Sequence, residues 1–154
     1  MELAQRAQQA TDQLTGIGDD ELFEQLALRL KAISAEPEQS GNFALDVTLT
    51  AETLGPFDGL AEFGRRYFGK VESQIHGLIC GSEDSGTRSQ LAKAFGLGPD
   101  AVTATVAALL VSQIGFAPAI AAVLATITIR VFFKPAHEAM CEQWDDRLKS
   151  MKPA

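Results

Sequence analysis

The stretch Ala101–Ile129, AVTATVAALLVSQIGFAPAIAAVLATITI, contains no charged residue, and Arg130 closes it. About twenty predominantly apolar residues are enough to cross a bilayer. By length alone this run qualifies; by content it does not. It is rich in Ala and Thr, and Ser112, Gln113, Gly115 and Pro118 lie near its middle. Glycine suits the position just past a helix end and proline suits a helix start. The run therefore divides into two helices of about fourteen residues joined by a tight turn, each too short to cross about 30 Å of hydrocarbon. Ala104, Ala107, Ala108, Ala121, Ala122 and Ala125 are small enough to let helices approach closely. The favoured reading is an apolar hairpin, 101–133, buried in a protein core. A membrane-engaging hairpin, kept soluble until a trigger releases it as in a lytic or pore-forming effector, is the alternative.

The second half of the hairpin, Ala119–Phe133, is apolar on nearly every side. Such a helix is either central in its domain or buries a face against another subunit. A chain of 154 residues has room for few fully central helices. Ile120, Leu124, Ile127, Val131, Phe132 and Phe133 are therefore the candidate interface, with a second copy of the chain or another protein as partner.

Outward from the hairpin the pattern is helical. Glu2–Leu14 reads as a polar first helix, broken by Gly16 and Gly18. Asp19, Asp20 and Glu21 suit a helix N-terminus, and Leu22, Phe23, Leu26, Leu30 and Ile33 follow as a stripe at helical spacing. Residues 36–42 form a linker. Phe43, Leu45, Val47 and Leu49 alternate with smaller or polar residues, the period of an extended strand. The next helix runs from Gly59 to Cys80, with Leu60, Gly64, Tyr67, Val71, Ile75 and Leu78 as its apolar stripe, broadened by Phe68 and Ile79. Thr87 with Gln90 is a capping-box pattern for a short helix to Phe95. Asp100 is placed to cap the hairpin, and Pro135 to open a last helix to Met151. The expected fold is one all-α domain, 1–154: a bundle of about six helices with one extended segment near residues 43–50.

Charge and composition bound the function. The net charge is −7, and no cluster of Lys and Arg offers a phosphate-binding surface, so nucleic acid is not an expected partner. The first hundred residues hold 16 acidic and 8 basic groups; the remainder hold 4 and 5. An acidic shell thus precedes a near-neutral, apolar third. The polar N-terminus lacks a signal-peptide pattern, and a cytoplasmic, reducing location is the expectation. Gly-x-Ser-x-Gly, P-loop and dinucleotide glycine patterns are missing from the sequence. The expected role is non-enzymatic, an interaction or assembly module.

One constellation stands apart. The chain's two histidines and two cysteines form identical pairs, His76-x-x-x-Cys80 and His137-x-x-x-Cys141. Four-residue spacing puts both members of a pair on one helical face. Two facing pairs would supply a tetrahedral Cys₂His₂ zinc site, making these four residues the candidate metal ligands. A helical wheel separates them, however. His76 and Cys80 fall off their helix's apolar stripe, near Glu62, Gly69 and Ser73. His137 and Cys141 fall on the apolar face of theirs, near Trp144, Leu148 and Met151. The pairs meet only if the Gly59–Cys80 helix packs on two faces. A buried free Cys141 is the simplest expectation; zinc and a Cys80–Cys141 disulfide or redox pair are the alternatives.

Overall fold

A computed structural model describes residues 2–14, 16–35, 60–81, 85–134 and 136–151. Among these residues there are seven α-helices and no strand: α1 (Glu2–Leu14), α2 (Asp19–Ala35), α3 (Leu60–Cys80), α4 (Ser85–Leu97), α5 (Pro99–Leu109), α6 (Pro118–Phe132) and α7 (His137–Met151). The chain is a mostly all-α, multi-helix bundle. The extended segment expected near residues 43–50 lies outside the described residues.

The apolar hairpin is the centre of the bundle. α5 packs between α1, α4 and α6, while α6 is enclosed by α1, α2 and α5, with α7 near its end. Every residue from Ala119 to Ile129 is buried. This corrects the expected interface: Ile120, Leu124, Ile127 and Phe132 face the chain's own core. Phe133 is half-buried against Phe95, and Val131 alone of the six is strongly exposed, at 47%. The chain's own helices suffice to cover α6 because its many alanines allow close approach. Its buried threonines satisfy themselves, with Thr126 Oγ1 donating to the Ala122 carbonyl and Thr128 Oγ1 to that of Leu124. No single helix among the described residues is long and apolar enough to cross a membrane.

The hairpin turn follows the punctuation of the sequence, with one addition. α5 does not stop at Leu109 but widens into a π-helical turn, Leu110–Ile114. Gly115 then takes φ 92°, a conformation that favours glycine. The amides of Gly115 and Phe116 both donate to the Leu110 carbonyl, at 3.0 and 3.1 Å, which satisfies the helix end. Pro118 begins α6 after Ala117 as N-cap. The other end of the hairpin departs from expectation. Gly98 rather than Asp100 is the N-cap of α5, because Pro99 opens the helix and leaves Asp100 in its first turn. Likewise α4 starts at Ser85, ahead of the expected Thr87 cap, and Thr87 is buried.

α2 is sandwiched, packing on α6 and on α3. Its burial therefore extends past one stripe to Ala27, Leu28 and Arg29. Arg29 Nη1 donates to the Ala119 carbonyl at 2.9 Å, tying α2 to the start of α6. At the opposite end of α6, Arg130 donates to the Ile17 carbonyl and pairs with Asp19. Where α2 crosses α3, Gly64 meets the Phe23 backbone. A Cβ on Gly64 would lie 2.1 Å from the Phe23 carbonyl oxygen and 2.8 Å from its carbon. Backbone cannot yield as a flexible side chain does. Gly64→Ala is accordingly expected to lower unfolding free energy by about 2 kcal/mol from overpacking, although alanine favours a helix by about 1 kcal/mol. Urea denaturation checks this, and a neutral or stabilised variant would show that the crossing is looser.

Candidate functional site

The buried face of α3 follows the expected stripe on its Phe68 and Ile79 side and adds Glu72. Gly64, Phe68, Glu72, Ile75, Leu78 and Ile79 point inward, while Tyr67 and Val71 are only half-buried. Glu72 is thus a core residue, 2% exposed. This broad buried face gives α3 a second packing surface, carrying His76 and Cys80 at its edge, and α7 docks there. Helix α7 packs chiefly against α3 and α6. It turns Met140 and Trp144 into the core, with Cys141 and Leu148 at the margin.

Trp144 is the hub of this contact. Its ring stacks on Phe132 with centroids 4.4 Å apart, and Phe132 stacks in turn on Phe68. The His76 ring meets it in a T-shaped contact with centroids 5.1 Å apart. Trp144 Nε1–H donates to Glu72 Oε2 at 2.8 Å, and Arg147 Nε lies 3.4 Å from the same oxygen. A buried carboxylate is costly unless hydrogen-bonded and paired; Glu72 has both partners. The Arg147 guanidinium also covers Phe132 at 5.1 Å. The apolar stripe of α3 read from the sequence does not include Glu72. Its signal was positional: Phe68, Glu72, Ile75 and Ile79 share one helical face, and the sole Trp needs an acceptor when buried.

One helical turn beyond Trp144, α3 and α7 are joined covalently. Cys80 and Cys141 form a disulfide with Cα atoms 5.6 Å apart, at a sequence separation of 61. The expectation of a free core Cys141 is therefore corrected; both sulfurs sit at the half-buried edge of the bundle. His137, one turn before Cys141, stands beside them. A ring nitrogen of His137 and the two sulfur atoms lie within 4.8 Å of one another. His137 Nε2–H donates to the Ile79 carbonyl at 2.7 Å, and the ring stacks on Phe95 with centroids 4.7 Å apart. That bond leaves the neutral ring's lone pair on Nδ1.

The four candidate ligands thus do not converge. Cys80, His137 and Cys141 come together, and His76 does not. It pairs instead with Asp145 of α7. The physical reason is the axial offset between the helices. Cys80 ends α3 opposite the first turn of α7, so His76, a turn earlier on α3, faces the next turn of α7. The Cys₂His₂ expectation is corrected to a Cys–His–Cys cluster with a separate His–Asp pair. The sulfurs can exchange between dithiol and disulfide, and as thiolates they are nucleophiles and soft metal ligands.

Comparison of the chain with known protein families, with curated proteins and with solved structures gives no match.

Proposed function

We propose that the chain is a cytoplasmic, non-enzymatic interaction module that assembles with a second copy of itself, and that the Cys80–Cys141 pair controls the assembly by clasping or releasing α7. One observation carries the reading. The helix that covers Phe132 and buries Trp144 is fastened to α3 by a bond that thiol chemistry can open. Disulfides in a reducing compartment are usually transient and redox-sensing rather than permanent. Closing the clasp takes two electrons from the dithiol. One cysteine thiolate attacks a low-molecular-weight disulfide and expels a thiolate. The second cysteine, as thiolate, attacks the mixed disulfide and expels the other. Opening reverses these steps with two equivalents of thiol. Released, α7 uncovers Met140, Trp144 and Phe132, and exposed apolar surface of this kind drives association.

Hydrogen exchange on the full chain, oxidised against reduced in chelator, tests the clasp. Amides of residues 140–148 are expected to exchange at least about 10-fold faster after reduction, with α6 unchanged. Light scattering on the same samples reads the assembly: the oxidised chain is expected as a monomer and the reduced chain as a dimer. Equal exchange and equal mass in both states would overturn the proposal.

A further inference from the structure

We infer that Cys80, Cys141 and His137, once the disulfide is reduced, form a zinc site with an open fourth position, so that the metal can refasten α7 when the disulfide cannot. The inference rests on the thiol-clasp reading of the same site.

The donor set suits zinc. Zinc binds thiolate sulfur at about 2.3 Å and imidazole nitrogen at about 2.0 Å, in tetrahedral geometry. Two thiolates and one neutral imidazole on rigid helices match that preference. Calcium and magnesium instead require oxygen ligands.

The placement of the three residues suits it as well. His137 and Cys141 lie four residues apart on the first turns of α7, and Cys80 closes α3 opposite them. Two thiolates on one tetrahedral zinc stand about 3.7 Å apart. With Cα atoms 5.6 Å apart, rotation of the two cysteine side chains can supply that separation without moving a helix.

The surroundings of His137 orient its ring. A zinc-bound histidine almost always donates its other ring N–H to a carboxylate or backbone carbonyl, which fixes the tautomer. Here Nε2–H is already committed to the Ile79 carbonyl, so Nδ1 is the nitrogen left for a metal. Stacking on Phe95 holds the ring plane. This orientation exists without metal.

The exchange balances in two steps. A dithiol reductant passes two electrons and two protons to the disulfide and is itself oxidised to a disulfide. Zinc then displaces both cysteine thiol protons to solvent. His76 takes no part, because Asp145 and Trp144 hold it a turn away. Water fills the fourth position and an incoming thiolate can replace it.

The test uses the full chain, reduced and then freed of reductant under anaerobic conditions. Native mass spectrometry with zinc is expected to find one ion per reduced chain and none per oxidised chain. Cobalt(II) as the probe is expected to give sulfur-to-metal charge transfer and the visible bands of a tetrahedral site. Cys80→Ser and Cys141→Ser abolish binding, His137→Ala weakens it by roughly 100-fold, and His76→Ala leaves it unchanged. Circular dichroism on each variant separates lost binding from lost fold. If a variant unfolds, the wild-type stoichiometry and cobalt spectrum still decide. A reduced chain with two alkylatable thiols that takes up no zinc at micromolar concentration overturns the inference. So does a His76→Ala variant as impaired as His137→Ala. Thiol counts on oxidised samples keep the two readings apart: cysteines that never pair sink the clasp, whereas pairing cysteines without zinc uptake sink only the metal site.

Discussion

Replacing Trp144 by alanine is expected to lower the unfolding free energy by about 5 kcal/mol. Removing a buried Trp costs about 3–5 kcal/mol through lost burial and the cavity left behind. Here the loss is compounded, because Glu72 is buried and Trp144 Nε1–H donates to it. A charged acceptor stripped of a donor costs a further 1–3 kcal/mol, by order of magnitude. The two contributions share one site and do not simply add. Domains of this size are stable by only about 5–15 kcal/mol, so the variant sits near its unfolding threshold at room temperature. Trp144→Phe separates the causes: it retains a ring against Phe132 and loses the N–H, with an expected cost of about 2 kcal/mol. Trp144 is the chain's only tryptophan, so far-UV circular dichroism in urea is the measurement. A cost below about 1 kcal/mol for the alanine variant would show that α7 contributes little to the core.

Opening the disulfide is the second large effect. The bond joins residues separated by 61 positions and encloses α4, α5 and α6. In the chain-entropy treatment, a loop of that length stabilises the native state by about 4 kcal/mol, by restricting the unfolded ensemble. Cys80→Ser and Cys141→Ser should each lose that amount relative to the oxidised chain. Reduction of the wild-type chain in chelator should produce the same loss, and the two treatments should not add. Guanidinium denaturation of the four samples checks this. Mutation and reduction that cost different amounts would mean the cysteines contribute packing beyond the covalent tie.

The sequence was a good guide to the hairpin and a poor one to the partners of its helices. Gly115 and Pro118 mark a turn by backbone chemistry that belongs to each residue, and the structure breaks the run there. The absence of charge over Ala101–Ile129 marked burial. It did not mark what does the burying, because a helix apolar on all sides is covered equally well by its own chain or by a second one. Helices of the same chain cover α6, and Ile120, Leu124 and Ile127 are core rather than interface. The thiol cluster was half legible. Four-residue spacing put each His with its Cys, but the offset between α3 and α7 along their axes is a tertiary quantity. That offset brings Cys80 to Cys141 and sends His76 to Asp145. The apolar stripe of α3 omits Glu72 for the same reason. Glu72 belongs to the buried face only because Trp144 and Arg147 arrive from α7 to satisfy it.

The clasp between α3 and α7 is the claim on which the rest depends, and non-reducing peptide mapping of the mildly oxidised full chain tests it most directly. One species is expected, in which the Cys80 and Cys141 peptides of a single chain are joined and neither cysteine can be alkylated. Two alkylatable thiols after oxidation, or cysteines joined only between chains, would contradict it.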